Sequence, residues 1–246
     1  MSFVITLNVR EGIVMASDSR ITLNSQEIGT NGTPSLNVAV GMSDSNYKTF
    51  LAYNKIGVST CGQADIKWVP LSWYIETFIR NQQDWDSITP KIFWERIKDH
   101  FRTYNPIPNT YFHVAWYVNE SGVLKQQVFK IDVIKDTIGL TNPEDPSIWE
   151  TQWAIWDGES DILARIIKPL FIQVPWTTTF NMMPTFNIPW NFFTLQDAID
   201  FAIFGIRSTI DTMKFQQRAK TVGWPIDVLV IKPTETLWVS RKELHS

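Results

Sequence analysis

Residues typical of β-strands fill the beginning of the chain, from Phe3 to Val9 and again from Ile13 to Ala16, with a turn at Glu11-Gly12 between them. This pattern predicts a β-hairpin that begins with the first residues. A second pair of strands is predicted from Lys48 to Asn54 and from Ile56 to Cys61. Between the two pairs, residues 24–46 are rich in Asn, Ser, Gly and Thr, which predicts a loop with a short strand at Leu36–Val40.

Apolar residues at helical spacing then predict a helix from Ile66 to Arg80, with Pro70 near its start. Thr89-Pro90 predicts a capped helix start, and this second helix is expected to run to about Tyr104. The remaining predicted elements are strands at Thr110–Val118, Val123–Ile134, Gln152–Trp156, Ile226–Ile231 and Leu237–Ser240 and helices at Gly158–Ile167 and from Thr194 to about Arg218. Helices in pairs between groups of strands predict one α+β domain over residues 1–246, a four-layer α/β/β/α sandwich with two antiparallel sheets.

Composition excludes several classes of function. The 246 residues carry 22 Lys and Arg against 25 Asp and Glu, and a net charge of −3 gives neither nucleic acid nor an anionic membrane a basic surface to bind. Cys61 is the one cysteine, so an internal disulfide is excluded. The histidines, His100, His113 and His245, lack the spacing of metal ligands. We expect no metal and no cofactor.

The first residues contain no basic region followed by an apolar run, and no stretch of the sequence predicts a membrane-spanning helix. We therefore expect a cytoplasmic protein.

Four positions near the N-terminus have an informative spacing. Ser2 opens the first strand, and Asp18 follows sixteen residues later in the segment Ala16-Ser17-Asp18-Ser19-Arg20. Lys48 precedes Gly62 by fourteen residues. Taken singly, these residues have ordinary explanations: Asp18 can cap a turn with Arg20 as its surface ion-pair partner, and Lys48 can be a solvated strand residue.

Taken together, the spacing resembles that of proteasome β-type subunits and their bacterial relatives in the Ntn-hydrolase superfamily, and the resemblance is specific over residues 1–65. It implies the Ntn-hydrolase sandwich fold and a nucleophile at Ser2 after removal of Met1. It also implies that Asp18, Arg20 and Lys48 form the catalytic centre and that the backbone N–H of Gly62 belongs to an oxyanion hole.

This set of groups is chemically sufficient for acyl transfer. A serine hydroxyl needs a base, and the α-amine of an N-terminal Ser2, with an ordinary pKa of about 7.7–8.0, can supply it. The ammonium of Lys48 would lower the pKa of that amine by like-charge repulsion, and Asp18 would hold Lys48 in place.

Two segments depart from the family. The segment Trp156-Asp157-Gly158-Glu159-Ser160 has Asp157 where the family has serine, which leaves Ser160 as a substitute, and residues 219–223 lack the family's Asp and Ser. Residues 169–193 carry no charge and are rich in proline and aromatic residues, which predicts an insertion. This insertion either folds onto its own domain or forms an exposed apolar surface that contacts another subunit.

The resulting hypothesis is an N-terminal-serine peptidase or amidohydrolase that acts on a peptide or protein substrate through an acyl-enzyme on Ser2. The same site could act as a transpeptidase. The alternative is a non-catalytic ring or scaffold subunit. Because members of the family assemble into rings, the resemblance implies a homo-oligomer, either a ring or a dimer. From the charge balance we expect no nucleic-acid or membrane partner.

Overall fold

The structure, a computed structural model, describes residues 2–27, 36–83, 88–141, 153–184 and 186–243. The strands are β1 (Phe3–Val9), β2 (Gly12–Ser17), β3 (Ile21–Glu27), β4 (Leu36–Ser43), β5 (Thr49–Ala52), β6 (Ile56–Gly62), β7 (Asp65–Ile66), β8 (Val69–Pro70), β9 (Thr110–Glu120), β10 (Val123–Asp132), β11 (Thr137–Leu140), β12 (Trp153–Gly158), β13 (Phe171–Gln173), β14 (Phe180–Met182), β15 (Asp227–Ile231) and β16 (Thr236–Ser240). The helices are α1 (Leu71–Asn81), α2 (Pro90–Arg102), α3 (Asp161–Ile167) and α4 (Leu195–Met213).

The described strands form five sheets. One five-stranded sheet has the order β12-β1-β2-β15-β16, and the other has the order β11-β10-β9-β6-β5. Three further sheets have two strands each, namely β3-β4, β7-β8 and β13-β14. The predicted four-layer α/β/β/α sandwich with two antiparallel sheets is therefore wrong. The order of elements counts strands but does not show which of them pair, and antiparallel neighbours joined by a short turn can pair with each other alone.

Three clusters of buried apolar side chains hold the large sheets and the helices together. One joins Phe3 and Ile5 of β1 to Ala202 of α4, and a second joins β6 and β9 to α1 and α2. A third lies between the two large sheets and includes Ile13 of β2 and Ala115 of β9. Because both faces of β1 and β2 are covered, these strands are buried along their whole length. They give the residues at their ends a fixed backbone.

Strands β1 and β2 pair so that Val4 lies opposite Ser17. The N–H of Asp18 continues this ladder by donating to the carbonyl oxygen of Phe3 at 3.2 Å. The start of the first strand and the end of the second are thereby brought together, although fifteen residues separate Phe3 from Asp18.

The uncharged segment 169–193 has two different parts. Its β13-β14 hairpin is exposed, and Phe171, Phe180 and Trp176 each have more than half of their surface in solvent. Towards its C-terminal end, Trp190 and Phe193 pack against the cluster formed by β1 and α4. One end of the segment therefore folds onto its own domain, and the hairpin leaves an apolar surface uncovered.

Among the described residues, no helix is both long and apolar enough to cross a membrane.

Candidate active site

The carboxylate of Asp18 is the centre of a buried hydrogen-bond network. Oδ1 accepts from the backbone N–H of Phe3 at 2.9 Å and from Nζ of Lys48 at 2.7 Å. Oδ2 accepts from the backbone N–H groups of Arg20 at 3.0 Å and Gly223 at 3.1 Å. The side chain of Asp18 has no exposed surface, and four donors compensate for the cost of burying its charge. This carboxylate links the start of β1 to the segment before β5.

Lys48 lies immediately before β5, and its side chain is almost fully buried. Its Nζ donates to Asp18 and, at 2.5 Å, to the carbonyl oxygen of Arg20. Burial lowers the pKa of Lys48 below its ordinary value, and the negative charge of Asp18 opposes this effect. An ammonium group has three donors, so these two contacts leave one N–H for another acceptor.

Ser2 lies directly before β1 and lines a small cavity together with Lys48, Thr60 and Cys61. The cavity has a volume of about 10 Å³, which is about the space that one water molecule needs. Ser2 is buried, and its carbonyl oxygen accepts from the N–H of Glu159 at 2.8 Å. Met1 lies outside the described residues.

The guanidinium of Arg20 pairs with Asp44 and not with Asp18. Its Nε and Nη2 each donate to the Asp44 carboxylate at 2.6 Å. The hydrogen bond to Asp44 raises the pKa of Arg20 above its ordinary value. Any side chain at Gly223 would collide with this pair, since a Cβ there would lie 2.5 Å from Nε of Arg20. Arg20 therefore binds Asp18 through its backbone N–H and Asp44 through its side chain.

Gly62 ends strand β6 with φ of +112°, in the region that favours glycine. A side chain at this position would overlap the carbonyl oxygen of Asn109. Its neighbours Cys61 and Gln63 line the cavity that contains Ser2. The structure thus brings Ser2, Asp18, Lys48 and the backbone around Gly62 into one region.

Ser160 directly precedes helix α3 at the N-cap position, but its hydroxyl makes no capping hydrogen bond to that helix. The close contact with Ser2 comes from the two residues before it. Gly158 pairs with Phe3 and has φ of +90°, and a Cβ there would overlap the carbonyl oxygen of Ser2. Gly158 and the N–H of Glu159 fix the backbone of Ser2, whereas no contact joins the Ser160 side chain to Ser2 in the hydrogen bonds of the described residues.

Cys61 is a buried thiol. Burial, followed by the negative charge of Asp157, raises its pKa from 9.0 to about 12. A thiol with such a pKa remains protonated at neutral pH and is a poor nucleophile. The position of Cys61 in the cavity therefore does not compete with a role for Ser2.

A second polar network links the two large sheets. Nδ1 of His113 lies 3.0 Å from Oγ1 of Thr6, and Nε2 lies 2.8 Å from Oδ2 of Asp157. Lys130 donates to Oδ1 of Asp157 at 2.6 Å. Burial works against the charge of Asp157, yet the bonds to His113 and Lys130 hold its pKa below the ordinary value. The sequence places Asp157 where the family has serine, and the structure gives this carboxylate a role in joining β12 to β9 and β10.

Sequence reasoning missed three contributions to this region: the N–H of Gly223, the fit of Gly158 against Ser2, and Asp44 as the partner of Arg20. Gly158 is identified by its positive φ and Gly223 by its close packing against Arg20, and neither property is visible in the sequence alone. His245 lies outside the described residues, and no cluster of three potential metal ligands occurs in the part of the chain that the structure describes.

Comparison with known proteins supports the fold. No family model matches the chain, and no curated protein matches it. Two solved structures of Anbu from Hyphomicrobium sp. strain MC1 are similar to it. One has a TM-score of 0.55 at 15% identity and covers 98% of this chain and 88% of that chain. The other, a Gly-1 mutant of Anbu, has a TM-score of 0.59 at 14% identity and covers 98% and 86%.

The predicted membership in the proteasome β-type family is therefore wrong, because no family model matches and the two similar structures described above are of Anbu. Identities of 14–15% show a common fold and nothing finer.

Proposed function

We propose that the chain is an N-terminal-nucleophile amidohydrolase and that Ser2, exposed as the first residue by removal of Met1, is its nucleophile. The proposed substrates are peptides or proteins. The observation that carries the proposal is the carboxylate of Asp18, which binds both Nζ of Lys48 and the N–H of the residue after Ser2. A buried lysine is thereby fixed beside the cavity that Ser2 lines.

The proposed reaction begins with the α-amine of Ser2, which takes the proton of Oγ either directly or through a water molecule. The small cavity has room for that water. Oγ attacks the carbonyl carbon of the amide, and the proton passes to the departing amine. Water, activated by the same α-amine, then hydrolyses the Ser2 ester and restores the free hydroxyl.

Lys48 has two roles in this proposal. Its positive charge keeps the α-amine unprotonated near neutral pH, and its remaining N–H stabilises the developing alkoxide. This role needs a charged lysine. Burial lowers the pKa of Lys48, but the ion pair with Asp18 opposes that effect and favours the charged form. We assign oxyanion stabilisation to the backbone N–H of Gly62, a contribution of about 3–4 kcal/mol in comparable sites.

Substitution separates these roles. Ser2→Ala is expected to abolish hydrolysis of a panel of fluorogenic peptide amides, whereas Ser2→Thr retains a hydroxyl and part of the activity. Lys48→Met is expected to lower turnover by a factor of roughly 100 or more. Equal turnover by wild type and Ser2→Ala would contradict the proposed nucleophile.

Addition of an amine acceptor distinguishes transpeptidation from hydrolysis, because a transpeptidase forms the acyl-amine product at the expense of the free acid.

The exposed hairpin supports a second proposal, that the chain associates with further copies of itself. Segment 169–193 carries no charge to repel an identical surface, and the edges of the β13-β14 ribbon lack the charged residues that usually prevent strand pairing. Such association is compatible with an enzyme and also with the alternative of a non-catalytic scaffold, which the assay of Ser2→Ala distinguishes.

A further inference from the structure

A second buried ion pair lies beside Asp18 and Lys48. Lys242 follows strand β16, and its Nζ donates to Oδ2 of Asp227 on β15. Its backbone N–H donates to Oδ1 of the same carboxylate at 2.7 Å. The side chain of Asp227 is fully buried and that of Lys242 nearly so. Stability alone does not explain this buried ion pair, because the cost of desolvating the two charges is about as large as the attraction between them.

Each member of this second pair contacts the residue that precedes a member of the first pair. Asp227 lies opposite Ser17, the residue before Asp18, across the β2-β15 ladder. Lys242 packs on Tyr47, the residue before Lys48, with Nζ 4.4 Å from the ring centre. The hydroxyl of Tyr47 in turn donates to the carbonyl oxygen of Lys242 at 3.4 Å.

Several other charged groups surround the two pairs. Arg20 and Asp44 form their own ion pair on one side, and the guanidinium of Arg241 lies 5.3 Å from the ring of Tyr47 on the other. Cys61 faces the same region and is protonated. Burial lowers the pKa of Lys242, the hydrogen bond and negative charge of Asp227 oppose this, and the more distant charges of Lys48 and Asp18 act in opposite directions.

We propose that Asp227 and Lys242 form a positioning pair for Lys48. Lys242 holds the ring of Tyr47 and thereby the start of β5, and the balance of the two added charges sets the field that Lys48 and the α-amine of Ser2 experience. Neither residue lines the cavity of Ser2, so the pair acts through Lys48. The proposal rests on the proposed function of Ser2 and Lys48.

The two single neutral variants have opposite electrostatic consequences. Lys242→Met leaves the negative charge of Asp227 beside Lys48, which stabilises protonated amines at the site. Asp227→Asn leaves the positive charge of Lys242, which destabilises them. The pH at which half of the maximal rate of Ser2 acylation is reached is therefore expected to rise in Lys242→Met and to fall in Asp227→Asn.

The first experiment measures the rate of acylation by a serine-reactive β-lactone against pH for wild type and for both variants. The double variant Asp227→Asn/Lys242→Met is expected to return the midpoint towards wild type, and Lys242→Arg to retain it. Displacement of Tyr47 is expected to lower the maximal rate of Lys242→Met by up to about 100-fold.

The control is Lys232→Met, which removes a lysine from the exposed ion pair with Glu235. A purely structural role would lower stability without moving the midpoint, so identical midpoints in all variants would overturn the proposal.

A second experiment does not depend on acylation. Urea unfolding of Lys48→Met, Lys242→Met and the double variant forms a double-mutant cycle. The proposal predicts that the two effects on the free energy of unfolding are not additive, and additive effects would overturn it. If the wild-type protein unfolds normally but is never acylated, Ser2 is not the nucleophile and the proposed function fails. The double-mutant cycle would still show whether Lys242 is energetically coupled to Lys48.

Discussion

The region around Asp18 and the β13-β14 hairpin reverse the usual relation between polarity and burial. Around Asp18, charged groups are buried and each oxygen of the carboxylate accepts two hydrogen bonds. In the hairpin, Phe171 and Phe180 are exposed in a segment that has no charge at all. Both arrangements are unfavourable for an isolated stable domain, since the first requires desolvation of charges and the second exposes apolar surface.

The difference teaches which kind of function each region can have. A buried and fully hydrogen-bonded charge has one geometry, which suits a site that must hold reacting atoms in fixed positions. An exposed apolar ribbon has no such constraint, and its surface is stabilised when another surface covers it. We therefore assign chemistry to the first region and association to the second.

Asp18→Asn is expected to have the largest effect on this comparison. It leaves the buried ammonium of Lys48 without its negative partner, and we expect a loss of about 3–5 kcal/mol in the free energy of unfolding together with loss of turnover. The double variant Asp18→Asn/Lys48→Met, which removes both charges, should regain much of the stability in urea unfolding but none of the turnover. A stable and active Asp18→Asn would show that the carboxylate is not the centre of the site.

Gly158→Ala is expected to have the next largest effect. The new Cβ would overlap the carbonyl oxygen of Ser2 in addition to straining a backbone with positive φ. Gly122→Ala is the matched control, because Gly122 also has positive φ but has open space around it, and we expect it to cost about 1–2 kcal/mol. Thermal unfolding and Ser2 acylation of the two variants measure the difference. Equal losses in both would mean that the contact with Ser2 contributes nothing.

Changes in the hairpin are expected to alter association and leave the fold intact. Deletion of residues 174–190 should give a species of lower mass in size-exclusion chromatography with light scattering. Because that deletion also removes Trp190 from the buried cluster, the point variant Trp176→Ser is the sharper test. Trp176 is fully exposed, so its substitution should change the free energy of unfolding by no more than about 0.5 kcal/mol. An unchanged mass in both variants argues against association through the hairpin.

The smallest expected effect concerns Cys61. Its folded-state pKa is raised from 9.0 to about 12, so the neutral thiol contributes stability below pH 9 that is lost as the pH rises towards 12. At pH 8 the native protein should resist iodoacetamide, while the urea-unfolded chain should take up one equivalent. Rapid alkylation of the native protein would place a reactive thiol in the cavity of Ser2 and reopen the choice of nucleophile.

Local capping signals in the sequence predicted the starts of α2 and α4, whereas α1 and α3 begin several residues after their predicted starts. Thr89 caps α2 as Thr89-Pro90 indicates, with its hydroxyl accepting from the N–H of Ile92. Pro70 was predicted to lie inside the first helix, but α1 begins at Leu71 and Pro70 directly precedes it. The number of sheets was not predictable, because pairing depends on contacts between strands that are far apart in the sequence.

The site was predictable to the extent that it depends on residue types at fixed spacing. Asp18 and Lys48 form the ion pair that their spacing and the resemblance indicate. The comparison with solved structures shows a common fold and nothing finer. Gly223 and Lys242 could not be found in this way. Gly223 contributes through its backbone N–H, and Lys242 comes from the opposite end of the chain. Both depend on the pairing of β15 with β2 and of β16 with β15.

The most direct test of the account is the intact mass of the purified protein before and after treatment with a serine-reactive β-lactone. The account predicts a mass that lacks Met1 and the gain of a single adduct, which is absent in Ser2→Ala. A protein that retains Met1 and gains no adduct, or an adduct that persists in Ser2→Ala, would contradict the assignment of Ser2 as the nucleophile.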